Sequence, residues 1–287
     1  MAVTGLFAGM ATLDVIQVVD ALPQPNRKTW ASSSWLAAGG PAAVAAIAFA
    51  ALGGEARLLT CLGSTPTARL IRTDLESAGV QIIDAAPHGF GIPPSVVLIN
   101  AATGERAVSS GGSPKAAPEL ENVRLPDVDV VELDGHYPDL AKLAAKLSAP
   151  VVLDAGSHKP VFDEVLDRTD FMLCSADYVH PRFSAAELAG RGPGLVAVSH
   201  GEQPIEWFSG SERGSIPVPQ DKTVDTLGAG DVWHGAFCYY LAAGVPPLDA
   251  LRSAAKAASL KTTKLGPLAW RQALSQMRAG TPPASAR

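Results

Sequence analysis

Short β-branched apolar runs alternate along this chain with longer segments whose apolar positions recur at helical spacing, and glycine or proline punctuates most of the joins. Read in order, the runs predict core strands over 5–10, 57–62, 80–83, 128–133, 151–154, 171–173 and 195–198. Between them the pattern predicts helices over 41–52, 63–78, 138–147, 161–166 and 185–189. Strands that alternate with helices imply a mainly parallel sheet covered on both faces. Ligands of such sheets sit beyond the carboxyl ends of the strands.

Three stretches break the alternation. Val15–Val19 and Trp30–Trp35 are extended segments separated by Leu22-Pro23-Gln24-Pro25-Asn26. Ser95–Asn100 and Arg106–Ser109 flank Ala101-Ala102-Thr103-Gly104-Glu105 and read as a hairpin. Both read as a β flap, or lid, from about 13–37 and 92–110, inserted in a single domain of 1–287. A second hairpin, 205–208 with 214–216, follows the last core strand. Helices to about Ala243, from Pro247 to about Lys264, and to about Met277 then close the pattern, and the tail 279–287 is expected to fray. The helix after Gly39-Gly40-Pro41 is so rich in alanine that another element must approach it closely.

Composition narrows the classes. With 287 residues and 47% hydrophobic content the chain has enough apolar surface for a substantial core. Net charge is −5, and no basic tract is present, which argues against nucleic acid as a partner. The apolar run 36–52 is broken by Gly39-Gly40-Pro41 and is too short to span a membrane, which takes about 20 apolar residues. Cys61, Cys174 and Cys238 are far apart, odd in number and without metal spacing. They read as packing residues in a reducing cytoplasm. The N-terminus lacks the basic region of a signal peptide.

The strongest chemical signal is Asp225-Thr226-Leu227-Gly228-Ala229-Gly230-Asp231, running into the apolar segment from Val232. Small residues let the backbone turn sharply beside a ligand, and a helix N-terminus gathers unpaired N–H groups and the positive end of the helix dipole. A carboxylate at that point, next to an anion cradle, is what phosphoryl transfer to a hydroxyl requires. The helix N-terminus is expected to favour the ionised form of Asp231. A bare glycine-rich helix start is the alternative for a shorter motif. Asp14, soon after the first strand, is either a polyol acceptor or a solvated turn aspartate, and Gly39-Gly40 either presents N–H groups to substrate or is a tight turn. No phosphate-binding G-x-x-x-x-G-K-[ST], dinucleotide G-x-G-x-x-G or nucleophile elbow G-x-S-x-G is present.

The string 225–231 resembles the signature of the ribokinase/PfkB family of sugar kinases, and Gly39-Gly40-Pro41-Ala42-Ala43 with Leu52-Gly53 resembles that family's N-terminal signature. The resemblance implies a ribokinase-like three-layer α/β/α fold and an ATP-dependent kinase that uses magnesium and, in many members, potassium. It implies Asp231 as the base and the N–H groups of Gly228, Ala229 and Gly230 as the anion hole. Asp14, Gly39 and Gly40 would bind the sugar. Ser199, Gly201, Lys261, Thr262 and Gly266 would border the nucleotide, and Asp225 with the Leu227 carbonyl would hold a monovalent cation.

The departures bear on substrate. Val44 replaces a usual sugar-binding Asn, and Ser175-Ala176-Asp177-Tyr178 stands where N-x-x-E is usual for magnesium, leaving Asp177 as the acidic candidate. Within the family the motifs look most like the sulfofructose kinase branch, with Lys28 facing an anionic end of the substrate and Ser110 and His136 in place of that branch's sulfonate partners. The expected acceptor is a ketose, sugar acid or related sugar, phosphorylated on a primary hydroxyl. A nucleoside kinase, with Trp30 and Trp35 as aromatic platform, and a non-catalytic sugar sensor are the rival readings. Flaps in this family often pair between subunits, so a homodimer through the lid is expected.

Overall fold

The computed structural model describes residues 2–112 and 117–279. In chain order its elements are β1 (Thr4–Ala8), β2 (Thr12–Val19), β3 (Ala31–Gly39), α1 (Pro41–Ala51), β4 (Glu55–Thr60), α2 (Pro66–Ser77) and β5 (Val80–Asp84). There follow β6 (Ser95–Asn100), β7 (Arg106–Ser109), β8 (Val130–Leu133), α3 (Pro138–Ala144), β9 (Val151–Ala155), α4 (Val161–Val165) and β10 (Phe171–Ser175). The chain continues through α5 (Ala185–Leu188), β11 (Leu195–His200), β12 (Gln203–Ser209), β13 (Glu212–Ile216), α6 (Ala229–Ala242), α7 (Pro247–Thr262) and α8 (Arg271–Ala279). The tail expected to fray lies, beyond Ala279, outside the described residues.

Nine strands form one sheet in the order β13-β12-β11-β10-β9-β8-β1-β4-β5. From β11 to β5 every pairing is parallel; the β12–β13 hairpin extends the sheet antiparallel beyond β11. The central strands β8 and β9 are buried along their whole length, as expected of a parallel sheet covered on both faces. Helices α1, α6, α7 and α8 pack on one another, and α3 packs on α4 and against β1 and β8. The architecture is therefore the three-layer α/β/α arrangement.

The alanine-rich α1 owes its composition to α6. Gly235 of α6 lies so close to the carbonyl of Ala45 that no side chain fits between the two backbones. Small residues on both helices permit that approach. All three cysteines are buried and free.

The segments that broke the alternation form a second sheet, in the order β3-β2-β6-β7. It has its own small apolar cluster of Ile16, Val18, Ala37, Val97 and Ile99, against which Trp35 and Leu227 pack. Asp14 belongs to this sheet. It sits within β2, opposite Ala37 and Ser95, inside the segment 13–37 expected to form the flap and not in a solvated turn.

Buried Asp134, just beyond β8, fastens the junction of the two sheets. One carboxylate oxygen accepts the Met10 N–H at 2.7 Å and the Ala42 N–H at 3.4 Å; the other accepts the His136 N–H at 2.8 Å. One side chain thereby ties the carboxyl ends of β1 and β8 to the first turn of α1, where Gly39-Gly40 enters the helix.

Candidate active site

Gly228, in the left-handed region at φ 71°, is the N-cap of α6, and Asp231 falls in the helix's first turn. The Gly228 carbonyl accepts the Val232 N–H at 2.9 Å and so starts the helix. The Ala229 N–H reaches the Thr226 carbonyl at 3.3 Å, a long bond, while a Cβ at Gly230 would meet only open space. The helix start thus has open space at Gly230, beside the first-turn carboxylate Asp231.

A cavity of about 40 Å³ joins this turn to the second sheet. It is lined by Gly228, Leu227, Asp225 and Asp231 from the loop and helix, and by Asp14, Ala38 and Gly39 from β2 and β3. Gly40, Val44, Ile16, Pro267 and Trp270 complete the wall. Gly39 has to be glycine because a Cβ there would overlap the Asp14 carboxylate. Asp14 is held by the Thr12 hydroxyl, which donates to it at 2.7 Å. Burial raises its carboxyl above the ordinary value, against the pull of that hydrogen bond.

Asp231 departs from the expectation that the helix end alone sets its charge. Burial, and then the nearby Asp154 carboxylate, push it up to about 6; His234 and Arg106 pull the other way. Desolvation and a like charge together outweigh the dipole. A base poised near neutrality is favourable for proton transfer. Beneath it, Glu132 on β8 is wholly buried and both carboxyl oxygens lack hydrogen-bond partners. Burial and the charges of Asp154, Asp134 and Asp231 raise it well above its usual range.

Three contributors were not singled out by pattern. His234 places Nδ1 2.8 Å from the Gly230 carbonyl. Its Nε2 lies 3.2 Å from the Leu173 carbonyl and 3.5 Å from Asp154. It thus ties the glycine turn to the sheet. Asp154, next to last in β9, is a like charge to Asp231. Arg106, on β7, donates to the hydroxyl of Thr226 at 3.2 Å and to its carbonyl at 3.3 Å, which brings a guanidinium beside the glycine turn. His234 follows Asp231 by three positions, which puts it on the same helix face; Asp154 and Arg106 are distant in sequence and carry no local signal.

The residues expected to border the nucleotide are spread over two elements. Ser199 and Gly201 lie at the carboxyl end of β11, and the Ser199 hydroxyl donates to the Cys174 carbonyl at 3.2 Å. Thr262 ends α7, and its carbonyl accepts the N–H groups of Val224 and Asp225 at 2.8 and 3.1 Å. Gly266 donates its N–H to Asp225 at 3.3 Å. Lys261 does not border an open groove: it is buried, with its ammonium on Asp225.

On the substrate side, Lys28 is exposed in the loop between β2 and β3 and does not line the cavity. His136 is paired with Asp134 at 3.3 Å, and the Ser110 hydroxyl accepts from Ser95 at 3.1 Å. Trp30 is 87% exposed, whereas Trp270 supplies the aromatic wall. Among the described residues no cluster of three His, Cys, Asp or Glu side chains is gathered to hold a metal ion.

The fold and this arrangement define a phosphotransferase with an alcohol acceptor. The chain matches the pfkB family carbohydrate kinase model over residues 6–271 and belongs to that family. It is 25% identical to the ribokinase of Bacillus subtilis (strain 168) over 275 residues, covering 90% of this chain and 92% of that one. It is 29% identical to the ATP-dependent ribose-1-phosphate kinase of Halopiger xanaduensis over 247 residues, covering 81% and 82%. Among solved structures, Arabidopsis thaliana ribokinase complexed with ribose and ATP superposes with a TM-score of 0.73 at 24% identity, covering 98% of this chain and 100% of that one. No helix among the described residues is long and apolar enough to cross a membrane.

Proposed function

We propose that this chain transfers the γ-phosphoryl group of ATP to a hydroxyl of a neutral sugar, with Asp231 as the base. The observation that carries this reading is the cavity in which the Asp231 carboxylate, at the start of α6, faces Asp14 and Gly39 across the junction of the two sheets. Three carboxylates and no basic side chain line that cavity. Asp225 is paired with Lys261, so Asp14 and Asp231 are the carboxylates that accept hydrogen bonds from a polyol and repel a sulfonate, phosphate or sugar acid. Val44 adds an apolar surface where the family's amide is usual, which separates this acceptor from the ribose pattern.

In this reading Asp14 and the Gly39-Gly40 turn orient the sugar, and Asp231 takes the proton of the attacking hydroxyl. The N–H groups of Gly228, Ala229 and Gly230, with the Arg106 guanidinium, stabilise the charge on the transferred group. Ser199, Gly201, Thr262 and Gly266 would border the nucleotide. Magnesium, when bound with the nucleotide, would supply positive charge to neutralise the phosphates. The donors present fit an ion carried by the nucleotide and met by one or two carboxylates, of which Asp177, exposed just past β10, is the candidate.

A cavity of about 40 Å³ holds little more than one water. A sugar enters only if the second sheet swings away from the α6 loop, so that sheet is a lid, with segments at about 13–37 and 92–110 in one domain. Its contacts with the loop are specific: Leu227 packs into its core, and the Thr226 hydroxyl and N–H both donate to the Gly104 carbonyl, at 3.0 and 3.1 Å. Closure by those contacts would exclude water while ATP is bound. The outer face of the lid carries Val15, Leu36 and Val96 in one register row, with Leu36 58% and Val96 44% exposed, and this apolar row is the proposed homodimer surface.

The deciding experiment is ADP formation from ATP and magnesium with a panel of neutral pentoses and hexoses, sugar acids, sugar phosphates, sulfosugars and nucleosides. Turnover of neutral sugars is expected. Turnover of nucleosides alone would sink the reading. A sugar that raises the unfolding midpoint with no ADP released would make the chain a sensor instead.

A further inference from the structure

We propose that the ammonium of Lys261 is a built-in cation that holds the loop from Asp225 to Gly230, so that this protein has no use for a free monovalent ion there. The inference rests on the kinase reading for its functional meaning, though not for its test.

The geometry is that of an occupied cation site. Lys261 and Asp225 are each only 1% exposed. Lys261 Nζ donates to the main-chain carbonyl of Asp225 at 2.9 Å and stands 3.1 Å from its Oδ2. Asp225 Oδ1 accepts the Leu227 N–H at 2.8 Å, and Oδ2 also faces the Gly266 N–H at 3.3 Å. Every oxygen of Asp225 is therefore met by a donor. The residues fail the fit expected for potassium: the carboxylate that would hold the ion already faces a positive charge, and the Leu227 group engaged with it is the N–H.

The ammonium is also fixed in place. Lys261 lies in the last turn of α7, whose Thr262 carbonyl accepts the N–H groups of Val224 and Asp225 at 2.8 and 3.1 Å. The same helix end thus holds the loop backbone and sets the start of the lysine stem. A tethered cation does not dilute away, whereas a free ion must be drawn from solution. A second cation would have to displace the ammonium or sit beside it, against like-charge repulsion in a buried site. Lysine suits the role because its ammonium is a compact point charge. Burial draws Lys261 below the usual lysine range, and the Asp225 carboxylate opposes that shift.

A buried pair that merely staples α7 to the loop would show the same contacts, so the test reads ion specificity. The unfolding midpoint of the wild-type protein is measured in potassium, ammonium, sodium and choline chlorides at equal ionic strength, with ADP release on the sugar panel measured alongside. The wild type is expected to be indifferent to the cation in both readings, within about twofold for turnover. A midpoint or turnover that rises with potassium or ammonium over choline overturns the proposal. Lys261→Ala, which opens space beside Asp225, is expected to lose turnover and to recover it in potassium or ammonium but not in choline, with the midpoint rising in parallel. Lys261→Met fills the space without charge and is expected to stay inactive in every salt. If Lys261→Ala is equally active in all salts, or is lost and rescued by none while folded, the built-in cation is refuted. Should neither variant fold, the wild-type comparison still decides. A panel with no turnover at all counts against the kinase reading alone, since the midpoints read the cation independently.

Discussion

Arg106 on the second sheet and Thr226 on the loop entering α6 are joined side chain to side chain at 3.2 Å, although 120 residues separate them. This contact places the only guanidinium that faces the glycine turn in the described contacts, and it crosses from lid to core. Arg106→Ala is expected to lower kcat by about 10²-fold, the scale of losing one donor to the transferred charge, with a smaller change in the KM for ATP. Arg106→Lys should retain part of the rate. An alanine variant with unchanged kcat would remove Arg106 from the proposed chemistry.

Asp231→Asn is expected to cost about 10²- to 10⁴-fold in kcat, the range for a general base, while acceptor binding persists. The same change should stabilise the fold at neutral pH. The folded carboxyl is raised to about 6 from an ordinary value of 3.8, so its ionised form is disfavoured by folding. The penalty is absent below the ordinary value and complete above about pH 6, and asparagine removes it. A gain of about 1 to 3 kcal/mol at pH 7 that vanishes near pH 3.5 is the expected signature in chemical denaturation.

With Asp231 as the proposed base, burial and then Asp154 set the acidic limb of activity. The base works ionised, so kcat/KM should rise with pH and level off above about 6. Asp154→Asn removes the like charge and should move that limb to lower pH. A limb that stays in place in a folded, active variant would mean another group titrates there.

Gly39→Ala puts a methyl group where the Asp14 carboxylate lies. Asp14 must turn away, so the KM for the sugar should rise about tenfold or more, the equivalent of about 1.4 kcal/mol, with the KM for ATP unchanged. Equal effects on both substrates would show a general disturbance of the fold instead.

Leu36→Lys with Val96→Lys charges the outer row of the lid. Sedimentation should show a dimer for the wild type and a monomer for the double variant. A wild-type monomer at micromolar concentration would exclude the lid as a dimer surface.

Much of the fold was legible in the sequence because it depends on local pattern. The buried runs at 130–133 and 151–155 read as strands, the glycines at 39, 40, 228 and 230 permit tight turns, and the proline at position 41 fixes a helical φ, wherever the chain places them. The motif 225–231 was legible for the same reason, since its turn and helix start are made from consecutive residues. Asp14 was legible as part of the flap segment 13–37, but its neighbours were not, because its pairing with Ala37 and Ser95 arises only from how β2, β3 and β6 assemble.

The local sequence by itself determined the alternation of strands and helices, the extended segments that interrupt it, and a glycine turn with a carboxylate at a helix start. Only the tertiary structure decided what that carboxylate experiences. Burial and then Asp154 raise Asp231, His234 ties Gly230 to the sheet, Arg106 reaches Thr226 from the second sheet, and Lys261 turns inward to Asp225. The physical reason is range: backbone preference acts over a few residues, while charge and burial act through space between segments that only folding brings together.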